Sequence, residues 1–336
     1  MLTRRVPVKA RAVSFVGPRR VEVVDRELPP LGPGEVQVRS LWSGISSGSE
    51  LLAYRGELDP EMALDETIGS LGGTFRFPFF YGSSCVGLVE DSRGGVAEGG
   101  LVFAFHAHQD RFHVPADDVV AVDGVEPRLA ALFPLVETAL QITLDAGAVL
   151  EDTVLVVGLG AVGLLTALLL HRAGARVVAS DPRPWRRRVA GDLGVEAVEP
   201  RSLPDRIGAL TDGAVPLAVE VSGDPEALSP VLPLLSHEGT VLVASWYGDK
   251  QVMLPLGREF HRRRLSIRST QVSTIPAALS DRWTVRRRRR RARSLLEDLP
   301  LAALATHAFP FTAAGEAFAA VDRGDEGLIH AALRYH

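Results

Sequence analysis

A chain of 336 residues, 46% hydrophobic and 23% charged, has material for two domains of ordinary size and too much apolar content to stay disordered. Its formal net charge of −4 argues against a surface drawn as a whole to nucleic acid or anionic membrane. Its single cysteine, Cys85, excludes an internal disulfide framework and any cysteine-rich zinc or iron–sulfur cluster, and its two lysines, Lys9 and Lys250, leave almost no candidates for Schiff-base chemistry.

Residues 1–15 mix Arg4, Arg5, Lys9 and Arg11 among valines without the apolar run of a secretory signal, so a cytoplasmic protein is expected. Up to about residue 125 the pattern is that of β-strands. Residues 12–16 and 21–24 are short apolar runs joined by Gly17-Pro18, and the proline-rich turn at 29–34 leads into strict alternation at 35–39. Further short strands are predicted near 86–90, 101–105 and 119–122, which together suggest a barrel-like β domain.

From about residue 126 the period changes. Apolar residues recur at helical spacing over 129–146, followed by strand–helix pairs at 153–157, 161–173, 176–180 and 184–193. Two further buried strands are predicted at 217–221 and 240–245, which implies a parallel sheet with helices on both faces. The most apolar stretch, 154–170, is interrupted by glycines at 158, 160 and 163, so it reads as strand, turn and helix rather than as a membrane span. Beyond it a strand at 265–272, a helix at 283–296, and β segments at 307–311 and 329–335 around a helix at 313–322 complete the chain. The arginine run 286–291 with Arg293 is expected to be the solvated face of a surface helix; it lacks the interleaved aromatics of a nucleic-acid platform.

The strongest chemical signal is Gly158-Leu159-Gly160-Ala161-Val162-Gly163, which follows an apolar strand and opens an apolar helix. Gly158 permits a tight turn, Gly160 lets the backbone approach a pyrophosphate, and Gly163 allows close helix–strand packing, while the helix N-terminus offers N–H groups to phosphate. Asp181, at the end of the next strand, is placed to accept hydrogen bonds from the adenosine ribose, which favours NAD; Arg183, Arg186, Arg187 and Arg188 nearby leave NADP as the alternative. A methyltransferase shares the glycine turn and the acid, but three glycines at this spacing favour the dinucleotide.

With the β domain first and the nucleotide motif in mid-chain, the sequence resembles the medium-chain dehydrogenase/reductase superfamily over essentially its whole length. Pro-Pro-x-x-Pro-Gly-Glu-Val-x-Val at 29–38 resembles the start of that family's GroES-like domain. Residues 43–50, Ser-Gly-Ile-Ser-Ser-Gly-Ser-Glu, resemble its Gly-Ile-Cys-Gly-Ser/Thr-Asp segment, and residues 81–87, Tyr-Gly-Ser-Ser-Cys-Val-Gly, its Gly-His-Glu-x-x-Gly segment. Glu137 falls where the family often places a third metal ligand. The Ile-Ser-x-Gly-Ser/Thr-Glu and Tyr-Gly-x-Ser-x-Val-Gly patterns, with His106-Ala107-His108-Gln109-Asp110, are similar to the bacteriochlorophyllide dehydrogenase-like branch.

The resemblance implies an α/β architecture: a GroES-like β-barrel catalytic domain (1–125 and 276–336), a doubly wound Rossmann domain (126–275), and an active site in the cleft between them. It implies hydride transfer between NAD(P) and an alcohol or carbonyl compound. A quinone or enoyl reductase, or a nucleotide-binding protein without catalysis, are the alternatives. Ser46 or Ser47 stands where the family has its cysteine ligand, and Ser83 and Ser84 where it has histidine and glutamate; serine hydroxyls are poor zinc ligands, so no zinc is expected.

Ser49 matches the family's proton-relay hydroxyl. His106 and His108, two apart at a predicted strand end, share one face, and His106 is taken as the acid–base candidate, with Tyr54 and Tyr81 as candidate donors to a carbonyl oxygen. Cys85, in a small-residue strand, is expected in the core. By family position Ser222, Ser245 and Thr270 line the ribose and nicotinamide, with Trp246 and Tyr247 beside them. A small-molecule substrate and a homodimer, through an edge strand near 265–272, are expected; nucleic-acid and membrane partners are not.

Overall fold

The computed structural model describes residues 8–335; Arg4, Arg5 and the remainder of the expected signal-free N-terminal segment before Val8 lie outside the described residues. Two compact units emerge, one running to Pro134 and resuming at Arg293, the other Leu135–Ala292.

In the first unit β1 (Val8–Gly17) and β2 (Arg20–Leu28) form a hairpin whose turn places Arg19 at a φ of 56°. β3 (Glu35–Ile45) buries Val36, Val38 and Ser40 on one face, as its alternation dictates. There follow α1 (Ser49–Arg55), β4 (Phe79–Phe80), β5 (Cys85–Ser92), β6 (Leu101–Ala104), β7 (Arg111–Pro115), β8 (Val120–Ala121) and the short α2 (Pro127–Ala130). The second unit carries α3 (Phe133–Ala146, which begins at the junction), β9 (Thr153–Val157), α4 (Ala161–Arg172), β10 (Arg176–Ser180), α5 (Pro184–Asp192), β11 (Glu196–Val198), α6 (Leu203–Leu210), β12 (Val215–Glu220), β13 (Leu235–Val243), α7 (Glu259–Arg262) and β14 (Ser266–Ser269). After α8 (Val285–Asp298), the chain adds β15 (His307–Pro310), α9 (Ala314–Arg323) and β16 (Ala331–Arg334) to the first unit.

The first unit's strands form a three-stranded sheet, β2-β1-β4, and a seven-stranded one, β15-β16-β3-β5-β6-β8 with β7 paired to β3. Its aromatic core gathers Phe15, Tyr54, Phe75, Phe79, Tyr81 and Phe318, with Phe15 stacked on Phe79 at 5.0 Å; a second cluster packs Val36, Val38, Cys85 and Phe112. The second unit is a six-stranded parallel sheet in the order β11-β10-β9-β12-β13-β14. Its helices carry the apolar stripes that cover it, and β9 is buried over its whole length. This is the β-domain-plus-doubly-wound α/β architecture expected from the sequence.

Two differences have local causes. β13 starts at Leu235, well before its apolar stretch at 240–243, because Ser236-His237-Glu238-Gly239 reads as a turn yet is carried as a register shift opposite Val215–Leu217. The arginine run of α8 is not wholly solvated: Arg288 is 2% exposed, since six successive helical residues must turn one toward the core, and acceptors await it there. No helix among the described residues is long and apolar enough to cross a membrane.

Candidate functional site

In the parallel sheet the strand order reverses at β9: β10 and β11 lie on one side, β12 to β14 on the other. The crevice at the carboxyl ends of such strands is where open α/β sheets take ligands. The glycine turn lies there. Gly158 has a φ of +101°, and a Cβ on it would stand 2.6 Å from the Cα of Ser222; a Cβ on Gly163 would meet the carbonyl oxygen of Gly158 at 1.9 Å. Both glycines are therefore required by close packing of their own chain. Gly160 differs, because a Cβ there meets nothing within 4 Å. Its backbone, with the first turn of α4 at Ala161 and Val162, borders open space into which the helix's unpaired N–H groups point, a fit for a diphosphate.

Asp181, at the end of β10, is 3% exposed. Its Oδ2 accepts from the Leu159 N–H at 2.9 Å and its Oδ1 from the Arg183 N–H at 2.8 Å, so it ties the glycine turn to β10. Arg186 Nη1 lies 3.4 Å from Oδ2, and Arg187 Nη1 donates to the Asp181 and Pro182 carbonyls at 2.7 and 3.0 Å. At the end of β12, Glu220, which sequence reasoning did not single out, is fully buried and accepts from the Ser222 N–H (2.8 Å), from the Ser222 hydroxyl and from the Tyr247 hydroxyl (2.5 Å). Burial first, then Glu220, pushes the Tyr247 hydroxyl's pKa well up, so it stays a donor. Ser245 Oγ accepts from the Gly223 N–H at 2.8 Å, which couples the loops after β12 and β13. The signal for Glu220 was a lone carboxylate inside the apolar strand 217–221, which demands buried partners. Thr270, expected to line the ribose and nicotinamide, instead spends its hydroxyl on Asp145 Oδ2 at 2.5 Å.

In the first unit Ser49 opens α1, and its Oγ donates to Ser46 Oγ at 3.3 Å. Tyr81 is buried, and burial raises the pKa of its hydroxyl, with Ser49 among the groups that act on it. Behind Ser49 runs a buried chain of groups: Glu50 Oε2 to His108 Nε2 at 2.8 Å, His108 Nδ1 to Ser43 Oγ at 2.8 Å, and Ser43 Oγ to the Tyr335 hydroxyl at 2.9 Å. Glu50, His108 and Ser43 are all 0% exposed. Their partners are distant in sequence, so no local spacing reveals the set.

The other two expected catalytic groups are not members of this hydrogen-bonded chain. His106 stacks on Phe112 at 4.1 Å, donates from Nδ1 toward the Ala107 carbonyl at 2.9 Å, and borders a cavity of about 560 Å³ with Arg26 and Gln109. Burial lowers its pKa to about 4, so it is neutral at physiological pH. Tyr54 stacks on Phe318 at 5.4 Å in the aromatic core, and the charges that act on its hydroxyl are those of Asp322, Arg19 and Arg323. Cys85 is fully buried with its thiol pushed up to about 12, an inert core residue.

The residues at the family's metal positions do not fit zinc. The Glu137 carboxylate is bonded to Arg288 Nε at 2.9 Å and lies 3.7 Å from Arg289 Nε, and Arg288 Nη1 is held further by Gln141 at 2.5 Å and the Thr274 carbonyl at 3.2 Å. Ser84 Oγ donates to the Ala131 carbonyl at 2.6 Å, and both nitrogens of His108 are engaged. Among the described residues no group of three or more His, Cys, Asp or Glu is disposed to hold a metal ion.

Comparison with known proteins gives a coherent answer. Residues 161–284 match the family model described as zinc-binding dehydrogenase. The chain is 27% identical over 330 residues to 2-desacetyl-2-hydroxyethyl bacteriochlorophyllide A dehydrogenase of Cereibacter sphaeroides, an alignment covering 93% of this chain and 94% of that protein. In fold it is similar to an alcohol dehydrogenase of Escherichia coli CFT073 solved with NADH (TM-score 0.77, 18% identity, 97% and 99% of the two chains). A zinc-binding dehydrogenase of Sinorhizobium meliloti 1021 bound to NADP is as near (TM-score 0.76, 19% identity, 98% and 100%). Across these comparisons the chain is similar to dehydrogenases, over residues 161–284 in the family model and over nearly its whole length in sequence and in fold.

Proposed function

We propose that this chain is a zinc-independent, NAD(P)-dependent oxidoreductase that exchanges hydride between the nicotinamide and an alcohol or carbonyl compound. The observation that carries the reading is the glycine turn at the strand-order reversal, closed on Ser222 by Gly158 and open at Gly160. The diphosphate falls to Gly160 and the start of α4, the adenosine ribose to the Asp181 and Arg183 end of β10, and the nicotinamide side to the Ser222 and Ser245 loops. The bound nicotinamide supplies or accepts the hydride.

The chain's own part is binding, orientation and the proton. Ser49 Oγ holds the proton that the substrate oxygen takes or releases, and Tyr81 stands behind it as the next hydroxyl. The Glu50–His108 pair fixes the start of α1, so that Ser49 is presented from a rigid element. With Glu137 bound to Arg288 and serines at the other positions, polarisation of the substrate oxygen rests on hydrogen-bond donors rather than a metal. The similarity to the bacteriochlorophyllide dehydrogenase supports the same branch. A cytoplasmic homodimer through the exposed edge strand β14 completes the reading.

Fluorescence titration with NADH and NADPH, followed by turnover on panels of ketones and aldehydes and of quinones and enones, tests it. Binding with ketone or aldehyde turnover insensitive to chelators is expected. Turnover confined to quinones or enones replaces the substrate class, stoichiometric zinc removes the metal-free claim, and no binding of either nucleotide removes the whole reading.

A further inference from the structure

The cavity of about 560 Å³ beside His106 is lined by first-unit residues alone, and its lining includes neither the glycine turn nor Ser49 and the buried chain behind it. A space of that size is in the range that takes a small organic molecule. Two polar groups on its wall have bonding capacity that the protein does not use.

The first is Arg26 on β2. Its Nη1 donates to Gln109 Oε1 at 3.1 Å, and its guanidinium carbon stands 4.2 Å from the centroid of the Phe80 ring. No carboxylate among the described residues pairs with it, whereas Arg76, the other cation of the lining, is bonded to Glu61. A guanidinium carries several N–H donors, so most of those of Arg26 remain for a ligand. Burial already lowers its pKa, a penalty on the charged form that a bound anion offsets.

The second is His106. Its Nδ1 lies 2.9 Å from the Ala107 carbonyl, which can only accept, so Nδ1 carries the proton of the neutral ring. Nε2 is therefore left with a lone pair. That nitrogen bonds to nothing in the protein and is not sealed within it, and stacking on Phe112 fixes the ring that holds it. Arg26 is near enough for its charge to act on His106, so one ligand can reach both. Phe80, Leu28, Leu64, Pro29 and Pro78 supply apolar wall for a ring. Glu35 also borders the space, and its Oε2 is held by the Gly32 N–H at 2.6 Å. A neutral hydroxyl serves Nε2 without adding positive charge beside Arg26 and Arg76.

We propose that this cavity is a binding site for a hydroxylated aromatic acid, its carboxylate paired with Arg26 and its hydroxyl donating to His106 Nε2. The guanidinium fork matches a carboxylate in two parallel bonds, and the neutral imidazole reads the hydroxyl. The site goes beyond the nucleotide reading and stands without it.

The test is calorimetric titration of the full chain, without nucleotide, with hydroxynaphthoate and with para-hydroxybenzoate. Each is set beside the parent acid that lacks the hydroxyl and the phenol or naphthol that lacks the carboxylate. At least one hydroxy acid is expected to bind about tenfold tighter than both of its parents. Arg26→Gln should lower its affinity to that of the uncharged parent while leaving the uncharged parent's own affinity within about twofold. His106→Phe, which keeps a ring on Phe112, should lower it to that of the parent acid. Thermal unfolding checks that each variant folds, and Arg26→Gln, at an exposed position, carries the test if the His106 variant does not. The site is overturned if neither hydroxy acid binds at millimolar concentration, if both bind no tighter than their parents, or if the advantage survives Arg26→Gln.

Discussion

The two units hold their buried polar groups by different physics. In the second unit they are carboxylates set against guanidiniums: Glu137 against Arg288, both 2% exposed in their side chains, and Asp181 against Arg186. In the first unit imidazoles lead: the buried Glu50 carboxylate meets His108 rather than a guanidinium, and two other histidines, His106 and His330, are kept neutral because burial drives their pKa to about 4. Arginine keeps its charge at any ordinary pH, whereas a buried imidazole stays neutral only until acid forces a proton on it. The second unit's polar core is thus vulnerable to loss of a partner, and the first unit's to pH.

The largest effect expected follows from the first half of that contrast. Arg288→Met leaves Glu137 buried with only the half-exposed Arg289 at 3.7 Å for charge, and breaking one side of a buried pair costs roughly 3–5 kcal/mol, so a loss near the lower end is expected. Glu137→Gln combined with Arg288→Met removes both charges and should recover most of the loss, because replacing a whole buried pair by neutral groups is often close to neutral. Urea unfolding of the two variants measures both. A single variant as stable as wild type would break the comparison, since the ion pair would then hold nothing.

The next effect belongs to the first unit. A histidine whose folded pKa is depressed from 6.5 to about 4 contributes stability that is present above pH 6.5 and lost as pH falls toward 4. For His106 alone the loss at pH 4 is about 3 kcal/mol, because a tenfold change in proton affinity between the folded and unfolded chain is worth about 1.4 kcal/mol. His106→Gln, which has no proton to gain in this range, should show a shallower fall in unfolding free energy between pH 6.5 and 4 than wild type, by about one proton's slope. Parallel curves for the two proteins would mean that burial does not depress the pKa of His106 in the native fold.

The same contrast explains what was legible in the amino-acid sequence. The glycine turn and Asp181 were readable because backbone geometry restricts them: a φ of +101° at Gly158 and a 1.9 Å Cβ clash at Gly163 demand glycine at a local spacing. The strands and helices of the second unit were readable for a similar reason, since each is periodic within itself. The Glu50–His108–Ser43–Tyr335 chain was not, because its members meet only after β3, α1 and β16 are assembled, 292 residues separating Ser43 from Tyr335. Arg288 lay in an arginine run whose composition says surface, and only the helical phase against Glu137 and Gln141 sets it apart. Thr270 was placed by family position, and the nearby Asp145 took its hydroxyl.

The smallest effect compares one tyrosine from each unit. Tyr247 donates to the buried carboxylate of Glu220 at 2.5 Å, while Tyr335 meets the neutral Ser43 hydroxyl at 2.9 Å. A hydrogen bond to a charged group is worth roughly 1.5–3 kcal/mol and a neutral one about 1 kcal/mol. Tyr247→Phe should therefore destabilise by about twice as much as Tyr335→Phe in parallel urea unfolding. Two Ser222 donors remain on Glu220 in the first variant, which keeps its cost near the lower end of that range. His108 still bonds Ser43 in the second, so the remaining network stays satisfied there too. With the surroundings matched in this way, the ratio of the two losses reports the charge on the acceptor. A ratio near one would show that the carboxylate acceptor adds nothing over a hydroxyl in this bond, and would break the distinction drawn between the two tyrosines.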